Sequence, residues 1–203
     1  MTMELFFIYD THCPWSYAAT PLVNEISKVF PQIDILLWHN AYYDGETCVD
    51  QKSIDEVLKL SGAEFGQSYL DSLGHKKDST YAANLMTWAQ NKEPQQALTI
   101  LNNLQRCHFG LGNELDTKEL MQELVRELKL SPPSKILKND KLSSDAEMVV
   151  HEIFALQEVI QTKAIPALLL AIDDELILFN HNFYLDNPKG IIEAIELEVK
   201  KHG

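Results

Sequence analysis

The feature that most narrows the fold is a buried strand running directly into a helix, with a cysteine at the junction. Leu5-Phe-Phe-Ile-Tyr9 is an unbroken apolar run bounded by turn formers, the pattern of a strand covered on both faces. Cys13-Pro14 then opens a stretch in which Leu22, Val23, Ile26, Val29 and Phe30 recur at helical spacing, and Pro31 closes it. Ile33 to Trp38 reads as a second buried strand. A strand, a helix and a strand in this order make a right-handed crossover unit, so the two strands are expected to be parallel.

From Ala41 to Lys163 no comparable strand is expected, and helix starts recur. Ser53 with Glu56 and Ser144 with Glu147 read as capping boxes. Thr117 precedes Leu120, Leu124 and Leu128, while Val149, Ile153, Leu156 and Ile160 form an apolar stripe. Pro132-Pro133 reads as a stiff elbow between two of these helices. Strands resume at Ala167 to Ile172, Asp173-Asp174 signals a turn, and Leu176 to Phe179 returns as an antiparallel partner. Asn187-Pro188 starts a last helix with Ile191, Ile192, Ile195 and Val199 along one face. The expected class is α/β: β-α-β, a large all-helical insertion, then β-β-α.

The chemistry sits in Tyr9-Asp-Thr-His-Cys-Pro-Trp-Ser-Tyr17. Cys13 falls at the helix cap, and Pro14 takes the first helical position, where its missing N–H costs nothing. Free N–H groups and the positive end of the helix dipole point at the sulfur and favour the anion. A cysteine pKa of about 8.5 falls to roughly 3.5–7.5 in such surroundings, so a thiolate is expected at neutral pH. Ser16, one turn on, is placed to donate a hydrogen bond to the sulfur, and His12 adds positive charge if its ring faces it. Pro21 interrupts the helix by removing the bond to the Tyr17 carbonyl. Ile165-Pro166, just before the third strand, is expected to be a cis bond in a deliberate turn.

Charge removes other functions. Seventeen basic residues against thirty acidic ones give a net charge of -13, which repels phosphate backbones and anionic lipid. Neither nucleic acid nor a membrane is therefore expected as a partner. The start of the chain has no basic leader before its apolar run, and no stretch reaches the eighteen or so apolar residues of a membrane span, so a cytoplasmic protein is expected. Cys13, Cys48 and Cys107 are an odd count at wide spacing, which leaves at least one thiol free. Cys107 reads as helix filler near Leu101 and Leu104. His39, His75, His108, His151 and His181 show no metal-binding spacing, and there is no phosphate loop or Gly-x-Ser-x-Gly elbow.

A helix-capping cysteine, a helix proline eight residues later and a late Ile-Pro before a hairpin together resemble the thioredoxin superfamily. The long helical insertion resembles its DsbA-like branch, whose cytoplasmic members include proteins labelled protein-disulfide isomerases. Phe7 to Leu22 is similar to how that group opens. The resemblance implies a thioredoxin-like domain over residues 1–40 and 164–203 with an inserted helical domain over 41–163. It implies Cys13 as nucleophile and Pro166 as the cis-proline beside it, with Ile165 pairing an extended peptide or glutathione as a short added strand. Pro14, Trp15 and His12 complete the implied substrate surface.

The chain departs from that pattern at Ser16, where most relatives carry a second cysteine. The expected activity is therefore that of a monothiol oxidoreductase or isomerase working through a mixed disulfide at Cys13. Its resolution would fall to glutathione as co-substrate, to the substrate's second thiol or to Cys48. Two alternatives stand beside it. The chain also resembles kappa-type glutathione transferases and 2-hydroxychromene-2-carboxylate isomerases, which typically carry a serine at the position of Cys13. A non-catalytic peptide-binding module is the other. No bound cofactor is expected, and the protein is expected as a monomer or homodimer.

Overall fold

A computed structural model describes residues 2–137 and 141–202 of the chain. The first strand, β1 (Met3–Tyr9), leads into α1 (Pro14–Val29), and β2 (Asp34–His39) follows. A ribbon strand β3 (Asp44–Cys48), helices α2 (Gln51–Leu60) and α3 (Gln67–Leu70) and the second ribbon strand β4 (Lys76–Asp78) come next. Then α4 (Thr80–Lys92) and α5 (Pro94–Gln105) run on into a π-helical turn, Arg106–Gly110, before α6 (Lys118–Glu127) and α7 (Ser144–Ile160). The hairpin β5 (Ala167–Ile172) and β6 (Glu175–Phe179), two 3₁₀ turns and α8 (Ile191–His202) complete the chain.

The main sheet has the order β2-β1-β5-β6. β1 lies parallel to β2, with Phe7 opposite Leu37, and antiparallel to β5, with Phe7 opposite Leu168. Alternate side chains of β1 go to opposite faces, as the two-residue period requires. Leu5, Phe7 and Tyr9 join Leu22, Val23 and Ile26 of α1 and Ile191 and Ile195 of α8 in the larger core. Ile8 joins Ala167, Leu169 and Ile153 on the other face, beneath α7. This double coverage explains why β1 reads as a continuous apolar run.

Two expectations need correction. The segment between β2 and β5 is not all helix, because β3 and β4 pair as an antiparallel ribbon, Asp44 opposite Asp78 and Cys48 opposite Lys76. The cap positions also move: Asp50, not Ser53, accepts the Ser53 N–H at the start of α2, and Ser143, not Ser144, accepts the Ala146 N–H at α7. Thr117, just ahead of the Leu120 and Leu124 stripe, caps α6 through the Leu120 N–H. Cys107 belongs to the main core with Leu101 and Leu104, but lies on the π-helical turn.

Leu22 is fully buried between α1 and the sheet. Leu22→Ala should lower the unfolding free energy by about 2–5 kcal/mol, measured by denaturant titration, as lost transfer energy and an unfilled cavity combine.

Candidate active site around Cys13

The turn between β1 and α1 is organised by one buried carboxylate. Asp10 accepts hydrogen bonds from the His12 N–H at 2.8 Å, the Tyr42 N–H at 2.7 Å, the Tyr43 N–H at 3.3 Å and the Ser79 hydroxyl at 2.7 Å. It thereby ties the turn to the approach to β3 and to the residue that precedes α4. His39 supports the same turn from β2. Its Nδ1 accepts the Ala41 N–H at 3.0 Å, and its Nε2 meets Thr11 at both the backbone N–H, 3.1 Å away, and Oγ1, 2.9 Å away. A charged imidazolium would lose the acceptor that holds Ala41, and burial lowers the His39 pKa to about 4, partly offset by Asp10.

Cys13 occupies the N-cap of α1 with extended backbone, and Pro14 is the first helical residue. Its sulfur is enclosed, however. Cys13 is only 5% exposed and shares a buried cluster with Tyr43, Val49, Ile54, Tyr69 and Phe109. The expectation of a resting thiolate is therefore corrected: burial pushes the Cys13 pKa up to about 11, and the charge of Asp10 adds to the rise. The Ser16 hydroxyl and the N–H groups of Ser16 and Trp15 pull it down without overcoming burial. Neither N–H donates a well-formed capping hydrogen bond to the sulfur. Ser16 Oγ accepts the Asp10 N–H at 3.2 Å, which leaves its own proton for the thiol side.

The wall opposite α1 is aromatic and comes from the insertion. Phe109 stacks on Tyr17 with ring centroids 4.5 Å apart and meets Tyr69 at 4.9 Å, while Phe65 packs against Tyr69 at 5.6 Å. The π-helical turn sends His108 and Phe109 toward this cluster and Cys107 into the main core. Backbone approach sets the spacing: Gly66 donates its N–H to the Phe109 carbonyl at 2.8 Å, and a Cβ on Gly66 would sit 2.0 Å from the Gly110 oxygen. Only glycine fits there.

The remaining residues read from sequence fall as follows. His12 is fully buried, and its Nε2 donates to the Glu114 carbonyl at 2.8 Å, which ties the turn to the insertion. Trp15 is half-buried and packs on both the main core and the Cys13 cluster. The Ile165–Pro166 bond is cis, Pro166 is buried, and Ile165 packs on the Cys13 cluster. Cys48 stands exposed on β3, and all three cysteines are free. Among the described residues no group of three or more His, Cys, Asp or Glu could hold a metal ion, and no helix is long and apolar enough to cross a membrane.

No local sequence pattern singles out Tyr43, Tyr69 or Phe109, and His39 and His108 are scattered along the chain. Asp10 had a detectable signal, a carboxylate directly after a buried strand and three residues before the cysteine. The others lie in remote segments.

No family model matches the sequence, and no curated protein resembles it significantly. Solved structures do. The cytosolic disulfide reductase DsbM from Pseudomonas aeruginosa, solved with glutathione, superposes with a TM-score of 0.82 at 19% identity, covering 97% of this chain and 99% of that one. A 2-hydroxychromene-2-carboxylate isomerase gives 0.58 at 13% identity, covering 98% and 96%. DsbA from Pseudomonas aeruginosa gives 0.56 at 11%, covering 98% and 86%. The fold is thus the one these structures share, a thioredoxin fold with a helical insertion.

His39 generates a pH prediction. Its pKa is depressed in the fold, so the associated stability is present above the ordinary histidine value of about 6.5 and is lost as pH falls toward 4. Unfolding free energies measured between those limits should decline steadily, and His39→Asn should flatten that part of the curve.

Proposed function

We propose that the protein is a thiol-disulfide oxidoreductase or isomerase that uses Cys13 alone. The observation that carries this reading is the juxtaposition of Cys13, at the head of a helix with Ser16 beside it, and Ile165 of the cis-proline turn in one cluster. The Cys13 sulfur, once ionised, attacks a disulfide or a glutathionylated cysteine. One sulfur–sulfur bond forms as another breaks, and the departing thiolate takes up a proton. A second thiol, from glutathione or from the substrate, then attacks the mixed disulfide and releases Cys13. Main-chain pairing beside Ile165 would hold an extended peptide or glutathione with little sequence selectivity. Serine at position 16 suits reactions that need no internal second thiol, such as isomerisation and deglutathionylation. A reducing, cytoplasmic setting agrees with that chemistry, and DsbM, a cytosolic protein solved with glutathione, offers the matching precedent.

Burial sets a condition on this mechanism. A thiol with a pKa of about 11 is neutral at rest, so the enclosing side chains must yield and the proton must leave as the substrate arrives.

The same neutral thiol favours a second reading. A buried S–H beside a helix start is a weak donor, which is the role that the resemblance to kappa-type glutathione transferases and 2-hydroxychromene-2-carboxylate isomerases implies for the residue at position 13 toward glutathione. Cys13 would then assist a sulfur that glutathione supplies.

Two substitutions separate the readings. Ser16→Cys should create a dithiol with disulfide reductase activity above the parent's in a glutathione-free assay; an inert variant argues against a nucleophilic Cys13. Cys13→Ser should abolish turnover of a glutathionylated peptide, whereas retained glutathione-dependent turnover would select the isomerase-like reading.

A further inference from the structure

We infer that the Tyr69 hydroxyl is the hydrogen-bond donor that steadies negative charge on the Cys13 sulfur as it reacts, an inference that rests on the thiol reading above. Tyr69 is fully buried in the same cluster as Cys13, and its hydroxyl has no partner. A buried hydroxyl left unbonded is unfavourable, and one at a reactive sulfur calls for a partner that forms later in the reaction.

The neighbours of Tyr69 show why it is the donor. His12 Nδ1 and His108 Nε2 are also buried without partners, and the three rings adjoin, with centroids 4.2 Å apart for His12 and His108 and 5.1 Å for His108 and Tyr69. Each imidazole gives its N–H to a backbone carbonyl, His12 Nε2 to Glu114 and His108 Nδ1 to Asn113. Burial holds the His108 pKa well below the ordinary value, so its Nε2 is a lone pair, and His12 Nδ1 faces the Asp10 carboxylate at 3.9 Å; of these three groups Tyr69 is the one with a hydrogen left to give the sulfur. Lys77, whose ammonium lies 5.6 Å from the centre of the Tyr69 ring, is already engaged by the Glu114 carboxylate at 2.7 and 2.8 Å and by Ser72.

The charges around the pair act in a consistent direction. Cys13 faces Asp10 from the turn before α1, Tyr43 from the approach to β3 and Tyr69 from α3; Tyr69 also faces Tyr43, His108, Lys77 and Glu114. Asp10 opposes ionisation of the sulfur. Burial, negative charge at Cys13 and Glu114 all hold the Tyr69 proton on its oxygen, so the phenol remains a donor while the sulfur ionises.

The test is the pH profile of Cys13 alkylation by iodoacetamide, read by mass spectrometry, in the parent, Tyr69→Phe and Tyr43→Phe. Tyr69→Phe keeps the ring and its packing. It should raise the midpoint by about one pH unit and slow alkylation about tenfold below it, as expected for one hydrogen bond to a charged acceptor. Tyr43→Phe should shift the midpoint less. A Tyr69→Phe profile superimposed on the parent's, with an unchanged circular dichroism spectrum, overturns the inference and leaves the thiol reading standing. A parent Cys13 that never alkylates in the folded protein defeats both. Should Tyr69→Phe not fold, a fluorinated tyrosine placed at position 69 provides the same test in reverse: its more acidic hydroxyl should lower the midpoint, and no change overturns the inference.

Discussion

The site depends on a carboxylate enclosed by the fold. Asp10 gathers two backbone amides from the approach to β3, one from its own turn and the Ser79 hydroxyl. A buried anion is tolerated only when its lone pairs are taken up, so these donors must be in place for the turn to exist. The same bonds dock the insertion against the sheet. The cost falls on the neighbouring thiol, because a fixed negative charge disfavours a second one nearby.

That tension decides the resting state of Cys13. Helix-terminus effects contribute about 0.3–2 kcal/mol, whereas burial shifts a pKa by up to 3–5 units. With the sulfur enclosed by Tyr43, Val49, Ile54, Tyr69 and Phe109, burial prevails and the thiol stays protonated. Reactivity in this fold then follows from the uncovering of the sulfur as much as from its place on the helix.

What could be read from the sequence was mostly local. The apolar run of β1, the proline that opens α1 and the Asp173-Asp174 turn each depend on residues within a few positions of one another. The ribbon escaped because Asp44-Gly-Glu-Thr-Cys48 is polar, has no apolar alternation and pairs through an irregular register. The caps slipped by one residue at Ser143 and Ser144, where two serines compete for the same position, and by three at Asp50 and Ser53. The enclosure of Cys13 could not be read at all. Its walls come from residues 43 to 109, and no periodicity near the cysteine records which of them arrive.

The π-helical turn has a consequence for how this site can vary. A π-helix arises from one extra residue inside an α-helix, and each residue turns an α-helix by about 100°. Losing a single residue between Arg106 and Gly110 would let α5 continue in regular register and would swing Phe109 away from Tyr17. One in-frame codon therefore separates a closed aromatic wall from an open one. Genetic change of that size would remodel access to the sulfur while the sheet, α1 and the proline turn stay as they are.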